Sequence, residues 1–227
     1  MNKRVKILIG ILALFLLLSG SYMASMFRAG TDEVSVKANP NYRLSAEEKG
    51  LIEEGDIILR RGEGFISGVI AHLNSDAPYD ISHCAFLTRG QKDWMVIHAV
   101  SGSLAENDGL QAEPIDRFTG TSVDSSVVIL RYKADRATRL KFSRSARAYL
   151  DARIAFDNSF NLEDTTTFYC TELLHRVFVN VLGEDLFPER FEEGHPGYIH
   201  FDQLLNPSKF DLIVNHQGKA VSQFMEE

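Results

Sequence analysis

Four short, largely apolar runs, the last two rich in β-branched residues, set the folding problem for this chain: DIILRR (56–61), SHCAFL (82–87), WMVIHAV (94–100) and SVVILRY (126–132). Each has the length and composition of a strand. Strands of this kind must pair, and the apolar faces of the resulting sheet must then be covered. Helices are available for that task. Ser45 followed by Glu48 is the capping-box pattern for a short helix at the start of the domain, and FISGVIAHL (65–73) reads as another. From Asp135 to Ala155 an Asp cap precedes a basic stretch whose apolar positions are Leu140, Ala146, Tyr149 and Leu150, an amphipathic helix. TELLHRVFVNVLG (171–183) is clearer: Leu173, Leu174, Val177, Phe178 and Val181 share one face, and Gly183 supplies the stop. DLIV (211–214) offers a last strand. The expected class is α+β, an antiparallel sheet with helices packed on it.

Residues 1–27 stand apart. They carry Lys3, Arg4 and Lys6, no acid, and an uncharged run from Ile7 to Phe27, the pattern of a signal peptide or membrane anchor. At about 1.5 Å per residue the uncharged run can span a bilayer as a transmembrane helix. Ser19, Gly20, Ser21 and Ala24 equally offer a peptidase its small residues, so cleavage and retention both stay open. Bases before the run place the remainder on the exported side, periplasmic or otherwise extracytoplasmic, with membrane contact through this segment. Residues 28–44, polar with Gly and Pro, read as a linker, and 45–227 as the folded domain. The net charge is −7, and residues 1–27 contribute only bases, so the domain is more acidic still. No basic stripe remains to neutralise phosphates, which excludes a nucleic-acid partner.

Two cysteines, Cys84 and Cys170, are too few for a disulfide framework, although one bridge between them competes with a catalytic reading. A cysteine nucleophile needs a thiolate and a base, and a helix N-terminus beside an imidazole provides both. Cys170 follows the polar run EDTTT and opens the clearest helix of the chain, where unpaired N–H groups favour an anion and can hold an oxyanion. The bland alternative is a buried structural cysteine. If SHCAFLTR and KDWMVIHAV form a hairpin closed by Gly90 and Gln91, His83 and His98 lie directly opposite one another on one sheet face. One imidazole can then orient the other. Cys84, next to His83, must point to the opposite face, away from His83's site. Tyr169 either contributes to the oxyanion site or packs, and Glu172 suits the first turn of a helix whatever the function. His195, His200 and Asp202 fit no zinc spacing, so no metal ligand is assigned, and His72, His175 and His216 are read as structural.

Taken together, GDIILRRG, SHCAFL, GLQAEPIDRF and AFDNSFNLEDTTTFYCTELL resemble the circularly permuted branch of the NlpC-type, papain-like superfamily, the YiiX-like permuted amidases. In that branch the histidine strand precedes the Cys-bearing helix, as it does here over roughly residues 55–205. The resemblance implies a permuted papain-like fold, Cys170 as nucleophile, His83 as base and a polar third member on the next strand, here His98. It implies a thioester mechanism without a cofactor, cleaving amide bonds in cell-wall peptides. The wider superfamily adds one rival, a lipid-directed acyl hydrolase or acyltransferase, and a reading of another class is a non-catalytic module that keeps the fold and binds peptide or lipid. Cys84 departs from the small residue commoner after the histidine.

Overall fold

The structure is a computed structural model that describes residues 39–74, 78–102, 107–187 and 199–218. In chain order the helices are α1 (Ala46–Leu51), α2 (Phe65–Leu73), α3 (Ile115–Gly120), α4 (Arg136–Asp151) and α5 (Cys170–Leu182), with a 3-10 turn at Phe201–Leu205. The strands are β1 (Ile57–Arg60), β2 (His83–Arg89), β3 (Trp94–Val100), β4 (Gly109–Pro114), β5 (Val128–Tyr132), β6 (Ala155–Phe156), β7 (Thr167–Phe168) and β8 (Phe210–Asn215). Six of them form an antiparallel sheet in the order β4-β3-β2-β1-β5-β8, and β6 pairs with β7 in a parallel ribbon. The α+β expectation is met.

The central strands are buried on both faces, which explains their nearly unbroken apolar sequences. Alternation sorts them into two cores. Ile57, Leu59, Cys84, Phe86, Ile97, Ala99, Val128 and Leu130 face α4 and α5, where Phe142, Ala146, Leu174, Val177 and Phe178 meet them. Ile58, Ala85, Leu87, Val96 and Ile129 face the other way, onto Leu44, Ile52, Ile115 and Phe118. Each fully buried aromatic or branched side chain in these layers stabilises the fold by about 1.5–3 kcal/mol.

Local signals act as their chemistry requires. Ser45 and Glu48 form the capping box of α1, Asp135 accepts the Thr138 N–H at 2.6 Å, and Gly183 closes α5 with φ 74°. Gly55, at φ 89°, runs so close to α4 that a Cβ would lie 2.1 Å from the Arg139 carbonyl. Beside it Asp56 is fully buried and accepts two bonds from Arg131, each 2.8 Å, and one from the Glu53 N–H. The Gly-Asp step that opens the family-like motif is thus a structural joint between β1, β5 and α4. Within the segment read as a linker, Leu44 is buried and the Tyr42 hydroxyl lies 2.8 Å from His216 Nδ1.

One expectation is corrected. No helix among the described residues is long and apolar enough to cross a membrane, so the transmembrane helix is withdrawn. Residues 1–27, on which that expectation fell, lie outside the described residues, as does His195.

Candidate active site

The hairpin β2–β3 places the two histidines. Arg89 pairs with Trp94, so the turn has four residues, Gly90 to Asp93, closed by the Gly90 N–H on the Asp93 carbonyl at 2.9 Å. The expected two-residue turn is not formed. Asp93 accepts from Lys49 Nζ at 2.6 Å, and the Trp94 indole donates to the Lys49 carbonyl at 3.0 Å. The turn is therefore set by α1 as much as by its own residues. The register slips by two positions, and because side chains alternate with period two, the slip preserves the face. His98 is diagonal to His83 instead of directly opposite, and His83 Nε2 meets His98 Nδ1 at 2.8 Å.

A third member lies on β4, where sequence reasoning assigned nothing. Glu113 shares the face of His98 across the β3–β4 ladder, and its Oε1 is 3.5 Å from His98 Nε2. His98 Nε2 is buried and makes no hydrogen bond at that distance. Arg117, one turn along, holds Glu113 Oε2 at 3.2 Å. Phe118 of α3 packs against both imidazoles, with ring centroids 5.8 Å from His83 and 5.5 Å from His98, and the Arg60 guanidinium covers it at 4.0 Å. Arg60, directly across the β1–β2 ladder from His83, donates to the Phe118 carbonyl and to Thr121 Oγ1.

These surroundings keep both imidazoles neutral. Burial, then the charges of His98 and Arg60, hold His83 well below the ordinary histidine range. Burial, then Arg60 and Arg117, push His98 down to about 3. Burial raises the Glu113 carboxyl against the two arginines. With neutral rings the proton order follows from the geometry: if His98 turns its Nε2–H toward Glu113, its Nδ1 accepts from His83 Nε2–H. That leaves His83 Nδ1, which has no protein partner among the described residues, with a free lone pair.

Cys170 opens α5 after Tyr169, which is extended at φ −93° and ψ 177°. The Cys170 thiol is half-buried and held below its ordinary range, first by the neighbouring Cys84 thiol and then by backbone N–H groups including that of Thr171, against the opposing effect of burial. Cys84 is fully buried, and burial followed by Cys170 drives its thiol well above the ordinary range. Of the two thiols, Cys170 is the one whose surroundings favour the anion. The strand does send His83 and Cys84 to opposite faces, but the expectation that Cys84 stands apart from Cys170 needs correction. Helix α5 packs on the Cys84 face, and both cysteines are free thiols.

His83 and Cys170 nevertheless share a cavity of about 530 Å³. It opens where β2 begins and β3 ends, so a side chain from the far face of the sheet reaches it around the end of the strand. No hydrogen bond joins His83 to Cys170 among the described residues. Tyr169 also lines the cavity, yet its side chain is buried and packs on Phe160 with centroids 5.3 Å apart. Glu172 is fully buried, paired with Arg176 at 2.8 Å, and accepts the Tyr169 N–H at 3.4 Å. It fastens the start of α5. His200 sits exposed at the cavity rim, while His216 bonds Tyr42 and Glu48.

No family model and no curated protein matches the chain. Among solved structures, the metalloprotein YiiX from Escherichia coli O157:H7, of DUF1105, has a similar fold, with a TM-score of 0.56 and 19% sequence identity. The match covers 72% of this chain and 97% of YiiX. It agrees with the YiiX-like resemblance of the sequence motifs at the level of fold.

Proposed function

We propose that this chain is a cysteine hydrolase with a permuted papain-like fold, in which Cys170 attacks an acyl carbonyl and His83 is the general base. One observation carries the reading. A half-buried thiol at a helix N-terminus shares one cavity with an imidazole whose far nitrogen is already tied, 2.8 Å away, to a second histidine. Catalytic contacts of this kind often close only around the substrate. In the reaction the Cys170 proton passes to His83 Nδ1 as the sulfur–carbon bond forms. The N–H groups at the start of α5 receive the negative charge on oxygen. The carbon–nitrogen or carbon–oxygen bond then breaks and the leaving group takes the proton back from His83. Water, deprotonated by His83, resolves the thioester and restores the thiol. His98 and Glu113 are positioning residues that fix the His83 ring and its tautomer.

YiiX is described as a metalloprotein, and the present residues do not fit that role. Among the described residues no group of three or more His, Cys, Asp or Glu is placed to hold an ion, and the facing nitrogens of His83 and His98 are committed to each other. No step runs through a metal or another cofactor.

The acyl donor expected from the motifs, a cell-wall peptide, would bring carboxylates and amines into the site. Arg60 is the only permanently charged side chain among the described lining residues, and its guanidinium is already engaged. The lining favours an apolar acyl group over a charged peptide. The test is acylation itself: p-nitrophenyl acetate should leave an acetyl group on Cys170, seen by peptide mass spectrometry and absent from Cys170→Ala. Absence of any adduct, together with no turnover of acyl esters or muropeptides, would overturn the hydrolase reading in favour of a binding module.

A further inference from the structure

The two described thiols meet at the junction of β2 and α5. Cys84 is fully buried in the core layer that α5 covers, and Cys170 packs against that same layer from the first turn of the helix. The Cys170 sulfur has both the Cys84 thiol and the Cys84 backbone N–H as neighbours. Both cysteines are free. Their access to solvent differs: Cys170 lines the cavity beside Ser82 and His83, whereas Cys84 has no exposed surface. An oxidant entering the cavity therefore reaches one sulfur and not the other. The reachable sulfur is also the one whose surroundings favour the thiolate, the form that reacts with peroxides.

We infer that Cys84 and Cys170 form a redox switch, in which a hydroperoxide oxidises Cys170 and Cys84 resolves the product into a reversible intramolecular disulfide. The Cys170 thiolate attacks one peroxide oxygen, the O–O bond breaks, and hydroxide or alkoxide leaves. Sulfur gives up two electrons and becomes a sulfenic acid. The Cys84 sulfur then attacks the Cys170 sulfur. The S–O bond breaks, the S–S bond forms, and the hydroxyl departs as water with the Cys84 proton. In sum, two thiols and one hydroperoxide give one disulfide, one water, and a second water or an alcohol. A dithiol reductant reverses the change by thiol–disulfide exchange, entering through the cavity at Cys170. The bridge rests on the placement of the two sulfurs alone. Its consequence, an acyl-transfer site switched off while oxidised and spared irreversible sulfinic acid, rests on the hydrolase reading.

The test takes the full chain, reduced and then freed of reductant, and exposes it to a small excess of hydrogen peroxide. Peptide mapping without reductant should join the Cys84 and Cys170 peptides with the loss of two hydrogens, and iodoacetamide should no longer label Cys170. Dithiothreitol should restore that labelling fully. In Cys84→Ala the same treatment should carry Cys170 to sulfinic or sulfonic acid, whose labelling dithiothreitol does not restore. A wild-type Cys170 that stays a free thiol, becomes a sulfinic acid beside an intact Cys84 thiol, or links to a second chain overturns the inference. The wild-type map decides this whether or not the variant folds. Acetylation by p-nitrophenyl acetate separates the two readings: a Cys84–Cys170 bridge in a protein whose reduced form is never acylated on Cys170 upholds the redox chemistry and overturns the hydrolase reading alone.

Discussion

His98 should make this protein acid-sensitive in a way that one substitution removes. Its imidazole is buried against Phe118 between Arg60 and Arg117, and in the folded chain it takes up a proton only near pH 3, against 6.5 for an ordinary histidine. Between those values the unfolded chain binds a proton that the folded chain does not. Stability therefore rises with pH through this window: the contribution is complete above 6.5 and is lost progressively on acidification toward 3. Each pH unit inside the window is worth about 1.4 kcal/mol, so between neutral pH and about pH 4.5 His98 alone costs about 3 kcal/mol. For a domain stable by roughly 5–15 kcal/mol that is a large fraction. His98→Gln keeps an acceptor for His83 Nε2–H but has no proton to gain. Urea unfolding of both proteins at neutral pH and near pH 4.5 measures the effect as a difference of differences, in which titrating groups away from His98 cancel. The variant should lose about 3 kcal/mol less than the wild type on acidification. Equal losses would refute the claim that His98 is buried as a neutral ring.

Loss of the nucleophile in Cys170→Ala should abolish turnover with the fold intact by circular dichroism, and His83→Ala should cost about 10²–10⁴-fold in kcat. Because His83 is held well below the ordinary histidine range, it stays neutral as pH falls past 6.5, and the acid limb of kcat/KM should have its midpoint below that value; a midpoint at or above 6.5 contradicts the assignment. Cys84→Ala removes the donor to the Cys170 sulfur and should move the pH dependence of iodoacetamide labelling at Cys170 upward, whereas Cys84→Ser keeps a donor and should not. Phe178, fully buried against Phe86, Phe142, Phe187 and Phe210, should cost about 3–5 kcal/mol when cut to Ala, read from denaturant unfolding.

β1, β2, β3, β5, β8 and the longer helices were legible because each carries its own signal, whereas β4, β6 and β7 were not read as strands. WMVIHAV is β3 end to end, and Asp135 and Gly183 bound their helices as their side-chain and backbone chemistry demands. The shared face of His83 and His98 was legible for a sturdier reason: face membership depends on parity, and a slip of two positions leaves it unchanged. The register was not legible, since Gly90 and Gln91 look like a complete turn and the contact that overrules them, Asp93 with Lys49, is long-range. Glu113 was missed for a similar cause. GLQAEPIDRF holds the residue, but its place beside His98 depends on how β4 pairs with β3, and no local turn signal dictates that pairing. Which sheet face α5 would cover was likewise a tertiary matter, so the Cys84–Cys170 contact lay beyond sequence reasoning.

That contact changes how the proposed reaction has to be understood. An imidazole kept neutral by burial and by Arg60 is a poor partner for a permanent thiolate–imidazolium pair, because its charged form is the one its surroundings oppose. The Cys170 anion must then draw its stabilisation from elsewhere, and the structure supplies the Cys84 thiol on one side and the α5 backbone N–H groups at the helix start. Division of labour follows from the strand itself. Cys84 reaches the sulfur from the face that α5 covers, and His83, one residue earlier, comes around the strand end from the other. In the proposed mechanism His83 acts during attack and leaving-group departure, when the proton has somewhere to go, and Cys84 acts before it, on the resting thiol. Loss of Cys84 as donor should therefore slow alkylation, which needs the thiolate, more than it slows a substrate whose attack is coupled to proton transfer onto His83. If Cys84→Ala slows both equally, the thiolate is formed through His83 after all, and the neutral-imidazole account fails.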